Sequence, residues 1–214
     1  YVTTKKAGTP FAMITLGIGE MVFAASLMFP QFFGGEGGIT TNRVIGSPVL
    51  GISYGPGIQV YYLVAVWCFL SMIAMYAFSQ TPLGRISNAV RDNPERVEFI
   101  GYDTQQVRYI VLIVSAFFAG ISGGLSAINF EIVSAENVSA VRSGGVLFAT
   151  FIGGAMFFFG PILGAIVFTF FAVALSEYTK AWQFYLGAFF VLMVMYAPGG
   201  LASLLLLNLR VARH

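Results

Sequence analysis

The stretch QTPLGRISNAVRDNPERVEFIGYDTQQVR, residues 80–108, is the one long charged segment of this chain. It carries eight of the twenty Asp, Glu, Lys and Arg residues. Charged residues make up only 9% of the 214 residues, and hydrophobic residues make up 57%. Since a soluble domain carries about 25% charged residues, the composition places the chain in the membrane class. The segment is therefore a polar loop between apolar runs.

Long apolar runs flank this loop on both sides. A helix needs about 20 apolar residues to cross the hydrocarbon core of a bilayer. The runs are continuously apolar, whereas the strands of a membrane β-barrel alternate apolar and polar residues. We expect an all-α, polytopic bundle of transmembrane helices in a single domain over residues 1–214. The predicted spans are residues 11–33, 58–79, 104–130, 143–159, 161–179 and 183–200.

Two interpretations of the run 143–179 stay open. Gly153, Gly154, Gly160 and Pro161 interrupt this run, which is either two short spans or a broken, re-entrant pair of helices. Broken helices at membrane depth occur where they line a cavity or are buried in protein. These four residues are therefore candidates for the wall of a translocation path.

The basic residues indicate the orientation of the spans. With the charged loop in the cytoplasm, eight Lys and Arg residues lie inside and three outside, as the positive-inside rule requires. The C-terminus is then cytoplasmic under both interpretations of the run 143–179. The inner residues are Lys5, Lys6, Arg85, Arg91, Arg96, Arg108, Arg210 and Arg213, and the outer ones are Arg43, Arg142 and Lys180.

The charged loop contains the start and stop signals of a short helix. Asn93 is a good N-cap residue, and Pro94 follows at the first helical position, where its missing N–H costs nothing. Gly101 can take the left-handed conformation that ends a helix. The sequence predicts a helix over residues 94–100, and Asp103 is expected to cap the helix that follows.

A second short helix is predicted earlier in the loop. Pro82 and Gly84 are expected to end the preceding span, and LGRISNAVR to form the helix. A passive connector needs only a few residues, whereas this loop is long and structured. Val97, Phe99 and Ile100 give the later helix apolar groups with which it can dock into a groove on another protein. The alternative is a loop that packs only on its own membrane domain.

The loop sequence TPLGRISNAVRDNPERVEFIGYD resembles that of permease subunits of bacterial branched-chain amino acid ABC importers, of the leucine/isoleucine/valine type. Five further segments resemble the same family in order and spacing, so that the resemblance runs from about Pro10 to Leu201. Family members are longer at the N-terminus, which implies a type II importer-like permease that is N-terminally incomplete. The five segments are PFAMITLGIGEM, GGEGGI, SAFFAGISGGL, SGGVLFATFIGGAMFFFGPILGA and YAPGGL.

The resemblance implies a permease subunit of the bacterial inner membrane that imports branched-chain or related amino acids. Its expected partners are two ATPase subunits, a second permease subunit, a periplasmic substrate-binding protein and membrane lipid, with no nucleic acid. Because the binding protein selects the ligand in such systems, urea, amides or aromatic acids stay open as substrates. The resemblance also implies that the loop couples to the ATPase through Gly84, Arg85, Ala89, Arg91, Asp92, Asn93, Pro94, Glu95, Arg96, Glu98 and Gly101.

The chain itself lacks the residues for nucleotide chemistry. A P-loop needs Gly-x4-Gly-Lys-Ser/Thr, and none of the three lysines, Lys5, Lys6 and Lys180, lies in such a context. ATP is therefore expected on the partner subunits, with no cofactor and no enzymatic activity in this chain. No cluster of His, Cys, Asp and Glu predicts a metal site, and no nucleophile–base pair predicts hydrolysis.

Glu20 is the one ionisable residue near the middle of a predicted span. Burying a charge there costs at least about 2.5–3.5 kcal/mol, so such residues usually face a cavity or a partner. Two interpretations of Glu20 stay open. It either lines the translocation path or has a structural role, in which it bonds to a backbone group near Gly17 and Gly19 or to a helix outside this sequence. An ion-driven secondary transporter is the first rival function, although it would need more midplane polar groups. A non-transporting scaffold is the second.

Overall fold

A computed structural model describes residues 3–5, 8–42, 55–196 and 199–203. Most of the described chain is helical, as an all-α fold requires. The chain divides into two compact units, Tyr1–Ser139 and Ala140–His214. The predicted cytoplasmic C-terminus falls outside the described residues. Four of the described helices are long and apolar enough to cross a membrane, at Thr9–Met28, Gly57–Gln80, Thr104–Phe130 and Gly160–Glu177.

The first unit contains six helices and two short strands among its described residues. Three single-turn 3-10 helices accompany them, at Thr3–Lys5, Gly35–Gly37 and Ala135–Val138. The helices are α1 (Thr9–Met28), α2 (Pro30–Phe33), α3 (Gly57–Gln80), α4 (Pro82–Asp92), α5 (Pro94–Phe99) and α6 (Thr104–Phe130), and the strands are β1 (Ile39–Thr40) and β2 (Ile132–Val133).

The first apolar helix is shorter than the predicted span 11–33. Helix α1 ends at Met28, and the four-residue α2 follows after a break at Phe29. The residue before a proline is pushed away from the α-helical region, and Phe29, which precedes Pro30, has φ −114° and ψ 68°. The prediction was wrong at this end because it counted apolar residues and ignored the proline.

A small antiparallel ladder joins the two loops predicted to lie outside the membrane. Ile39 pairs with Val133, and Thr40 pairs with Ile132. The backbone N–H of Thr41 also donates to the carbonyl oxygen of Glu131, with the two atoms 2.9 Å apart. The sequence indicated no strand here, because two residues are too few to show an alternating pattern.

The second unit contains α7 (Ala140–Gly153), α8 (Gly160–Tyr178) and α9 (Trp182–Tyr196). The predicted span 143–159 was wrong at its end, since the helix stops at Gly153 and residues 154–159 form turns. At 14 residues, α7 is about 21 Å long, which is less than the ~30 Å hydrocarbon core. Helix α7 is therefore too short for a full span, and the choice between two short spans and a broken, re-entrant pair stays open.

Aromatic side chains pack the three helices of the second unit together. The rings of Phe148 and Phe190 meet edge to face, with their centroids 4.8 Å apart. Phe171 and Phe189 stack at the same centroid distance. Such pairs contribute about 0.5–1.5 kcal/mol beyond the area that they bury, and here they hold α9 against α7 and α8.

Candidate functional site

The charged loop begins at Thr81, which separates α3 from α4. The Thr81 backbone is extended, and its Oγ1 accepts a hydrogen bond from the N–H of Gly84 at 3.2 Å. Helix α4 therefore starts at Pro82, and Gly84 lies inside this helix. The prediction that Gly84 ends the preceding span was wrong, because the threonine cap makes the break three residues earlier.

Gly84 has a packing role at this turn. A Cβ atom at this position would lie 2.8 Å from both the Cα and the carbonyl oxygen of Ser79, and closer still to the carbonyl oxygen of Phe78. Real Cβ atoms do not approach backbone atoms so closely. The absent side chain therefore lets α4 fold back tightly against the end of α3.

The predicted short helix is confirmed, one residue shorter, as α5. Asn93 Oδ1 accepts a hydrogen bond from the N–H of Arg96 at 3.1 Å, and Pro94 occupies the first helical position. After α5, Gly101 has φ +93°, and its N–H donates to the carbonyl oxygen of Glu98 at 2.9 Å. Both ends of α5 are thus set by the residues that predicted them.

The next helix is tied to α5 at its first residue. Asp103 Oδ1 accepts hydrogen bonds from the N–H groups of Gln105 and Gln106, at 2.8 and 3.2 Å, which confirms the predicted cap of α6. Thr104 Oγ1 donates to Glu98 Oε1 at 2.7 Å. Helices α5 and α6 are therefore linked by a side-chain bond as well as by the short connection between them.

A small apolar core lies beneath the loop. Val90 of α4, Val97 of α5 and Val107 of α6 pack together with exposed fractions of 6%, 4% and 7%, and Ile86 packs against them. Burying such side chains contributes about 1.5–3 kcal/mol each. Helices α4 and α5 and the first turn of α6 thus pack into one unit, which we call the loop platform. The spacing of Ile86 and Val90, four residues apart on α4, is the sequence signal for this core.

Not all of the apolar residues of α5 belong to that core. Phe99 is 90% exposed and Ile100 is 73% exposed, in contrast to the buried Val97. Tyr102 follows at 49% exposed. We call Phe99, Ile100 and Tyr102 the apolar tip. The sequence treated Val97, Phe99 and Ile100 as one apolar group, and the structure separates an internal contact from an outward surface.

The charged residues of the loop lie around this platform. Arg91 Nε and Asp92 Oδ1 form an ion pair at 3.2 Å, with both side chains largely exposed. Arg85, Glu95 and Arg96 are exposed as well. Exposed pairs contribute about 0–1 kcal/mol to stability, so these charges add little to the stability of the loop. Ala89 is also exposed on α4.

Glu20 lies within α1, away from either end. Its side chain is exposed on the surface of the chain. In the part of the chain that the structure describes, its carboxylate makes no hydrogen bond or ion pair. The interpretation that Glu20 bonds to nearby backbone is therefore not supported within the described residues. Its place in a translocation path stays a prediction.

The candidate glycines of the second unit pack backbone to backbone. Gly153, Gly154 and Gly160 are buried. A Cβ on Gly153 would lie 2.8 Å from the N atom of Gly164, and one on Gly164 would lie 2.7 Å from the N atom of Gly153. The glycines thus allow α7 and α8 to form a tight hairpin, with Pro161 in the first turn of α8. Their role in a path stays a prediction.

A further close approach brings residues 199–200 to the same turn. A Cβ on Gly154 would lie 2.5 Å from the carbonyl oxygen of Gly199, and a Cβ on Gly200 would lie 2.8 Å from the carbonyl carbon of Gly153. Gly153 and Gly154, which interrupt the apolar run, thus pack against Gly199 and Gly200 in the second unit. The sequence showed the glycines but not this pairing.

Comparison with protein families gives a match over residues 1–198 to the branched-chain amino acid transport system / permease component family. The chain belongs to this family. Together with its apolar helices, the match makes it a multi-pass membrane protein. No solved structure matches the chain.

Three curated relatives of this permease family are similar to the chain. The high-affinity branched-chain amino acid transport system permease protein LivM of Escherichia coli (strain K12) is 28% identical over 91% of this chain and 51% of its own length. LivM of Salmonella typhimurium is 27% identical over the same shares. The guanosine ABC transporter permease protein NupQ of Bacillus subtilis (strain 168) is 31% identical over 60% of this chain and 39% of its own. The chain spans about half the length of the two LivM proteins that it matches.

Proposed function

We propose that the chain is permease sequence of an ATP-driven importer for branched-chain or related amino acids in the bacterial inner membrane. The family match across residues 1–198 carries this proposal. Its similarity to LivM favours the amino acid substrate. The proposed partners are two ATPase subunits, a second permease subunit and a periplasmic substrate-binding protein, and ATP binds to the ATPase subunits.

The loop of α4 and α5 is the proposed contact with an ATPase subunit. Its apolar tip offers exposed apolar area at the end of a helix, and large apolar side chains of this kind serve as anchors in interface pockets. The exposed charges of Arg85, Glu95 and Arg96 lie on the same loop as the anchor and help to orient the partner. Phe99 is exposed, whereas Val97, two residues earlier, is buried. This exposure favours a loop that docks on a partner rather than one that packs only on its own membrane domain.

The connections of α5 provide a route for force into the membrane. Closure of the ATPase subunits displaces α5, and the Thr104–Glu98 bond and the valine core pass this displacement to α6. Helix α6 has 27 residues and is therefore about 40 Å long, which spans the bilayer. Its tilt alternately opens the path to either side, and Glu20 and the α7–α8 turn are proposed to line that path.

A second candidate differs only in the substrate. The similarity to NupQ favours a nucleoside as the imported solute, and urea and amides stay in the same class of alternatives. An ion-driven secondary transporter is less well supported, because it would need several polar or charged groups near the midplane. Glu20 is the one acidic residue of α1, and it forms no ion pair within the described residues.

Reconstitution of the complete protein with its ATPase and binding-protein partners tests the proposal. Proteoliposomes loaded with ATP are expected to take up radiolabelled leucine, and those loaded with ADP are not. Uptake that persists with a proton uncoupler and fails without ATP supports the importer. Uptake that follows an ion gradient and ignores ATP contradicts it, and saturable guanosine uptake without leucine uptake selects the second candidate.

A further inference from the structure

A cavity of about 510 Å³ opens beside the loop platform, between α1, α4, α5 and α6. Its volume lies within the range of about 300–1,000 Å³ typical of small-molecule sites. Apolar side chains dominate the wall, among them Phe11, Val111 and Leu112. Two basic residues, Arg91 and Arg108, also line it. An apolar cavity with a cationic rim matches an amphiphile with a negative headgroup.

Arg108 supplies the positive charge at the rim of this cavity. Its side chain is half-buried, and within the described ranges it has no hydrogen bond or ion pair. A guanidinium withdrawn from water is costly unless an acceptor satisfies it. Asp92 does not serve this purpose, since it pairs with Arg91 at 3.2 Å. The geometry leaves room for an external acceptor at Arg108.

The wall of the cavity runs from the membrane surface into the apolar region. Arg108, Val111, Leu112 and Ser115 lie at positions i, i+3, i+4 and i+7 of α6, and so they share one face of the helix. Arg108 is about 6 Å from the start of α6, and Ser115 is about 10 Å deeper. This arrangement places a cation at headgroup level and apolar side chains along the acyl chain below it.

We infer that this cavity binds an anionic phospholipid of the surrounding bilayer. The headgroup phosphate accepts hydrogen bonds from Arg108, and one acyl chain lies against Phe11, Val111 and Leu112. Basic pockets between membrane helices on the cytoplasmic side are suited to acidic headgroups, and the guanidinium fork matches phosphate geometry. The lipid would rest against α4, α5 and α6 together, and thus against the platform itself.

Native mass spectrometry of the purified, delipidated complete protein tests the inference. Phosphatidylglycerol is expected to bind at one site more tightly than phosphatidylcholine. Arg108→Gln should weaken the binding of phosphatidylglycerol about fivefold, because one interfacial cation is removed, with little change for phosphatidylcholine. Arg108→Lys should keep most of the affinity. Leu112→Trp should reduce the binding of both lipids by filling the cavity.

Arg85→Gln is the matched control, since it removes the same charge from an exposed position of α4 that does not line the cavity. It should leave phosphatidylglycerol binding unchanged. Equal affinities of the wild type and Arg108→Gln would overturn the inference, as would equal affinities for the two lipids. Displacement of phosphatidylglycerol by an equal concentration of inorganic phosphate would also overturn it, because the site would then be one for a free anion.

Discussion

Thr104 donates a hydrogen bond from its Oγ1 to Oε1 of Glu98 at 2.7 Å, across the junction of α5 and α6. Thr104 is 5% exposed, whereas Glu98 lies on the exposed side of α5. The bond therefore links the exposed helix α5 to the first residue of the long apolar helix α6. Glu98, which the sequence marked for contact with a partner, has a bond within the chain.

Thr104→Val is expected to loosen α5 without unfolding the membrane helices. It removes the donor to Glu98 but keeps the shape of the side chain, and the loss of one such bond costs about 1 kcal/mol. Exchange of the backbone amide hydrogens of residues 95–99 should become about fivefold faster. Thr104→Ser, which retains the hydroxyl, is the control and should exchange as the wild type does. Equal exchange in all three proteins would contradict a linking role for this bond.

Gly84→Ala should destabilise the turn between α3 and α4. The added Cβ would meet backbone atoms of Ser79 at 2.8 Å, and forced contacts of this kind cost about 1–3 kcal/mol. Thermal unfolding of the purified protein should shift downward. Asn88→Ala, at an exposed position of the same helix, should not lower stability, because alanine favours the helix. An unshifted Gly84→Ala protein would show that the turn relaxes freely.

If the apolar tip contacts an ATPase subunit as proposed, Phe99→Asp should weaken that contact and lower ATP-driven uptake while leaving the fold intact. Phe99 is 90% exposed, so its replacement costs little within the chain, whereas loss of a central anchor weakens an interface by about 2 kcal/mol or more. Binding of the ATPase subunit should fall about thirtyfold. Phe99→Leu keeps an apolar anchor and should bind more tightly than Phe99→Asp. Wild-type ATPase binding by Phe99→Asp would remove the apolar tip from the interface.

Gly153→Ala and Gly164→Ala should each disrupt the hairpin of α7 and α8. Their Cβ atoms would lie 2.8 and 2.7 Å from the N atom of the other glycine. Gly187→Ala, in α9, is the control, since a Cβ there meets nothing within 4 Å. The control should gain about 0.5–1 kcal/mol from reduced backbone entropy, and the two test variants should lose stability in thermal unfolding. Three equal melting temperatures would contradict the close packing.

Glu20→Gln should lower uptake without abolishing folding, if Glu20 lines the path as proposed. The carboxylate has no bond within the described chain, so the amide removes the charge without breaking an internal contact. Uptake by proteoliposomes and the elution volume of the purified protein measure the two effects separately. Met21→Leu, the exposed neighbour, is the control. Wild-type uptake by Glu20→Gln would contradict a role in the path.

Local sequence signals were sufficient to predict the caps of α5 and α6 in the charged loop. Asn93 and Asp103 cap the helices that they were expected to cap, and Gly101 takes the positive φ that was expected of it. Such caps succeed as predictions because each depends on hydrogen bonds within about four residues. Two errors arose where hydropathy alone set a boundary, at Phe29 and Gly153, since apolar residues continue beyond the end of the helix. A third arose at Gly84, because the cap made by Thr81 was not predicted.

The sequence by itself determined that the chain is an apolar, helical membrane protein with one structured polar loop, because composition, run length and capping are local properties. Tertiary structure decided which apolar residues of that loop face outward. Val97 and Phe99 are two residues apart and chemically alike, yet one is 4% exposed and the other 90%. The difference depends on Val90 and Val107, which lie on other helices and meet Val97 only when the chain folds.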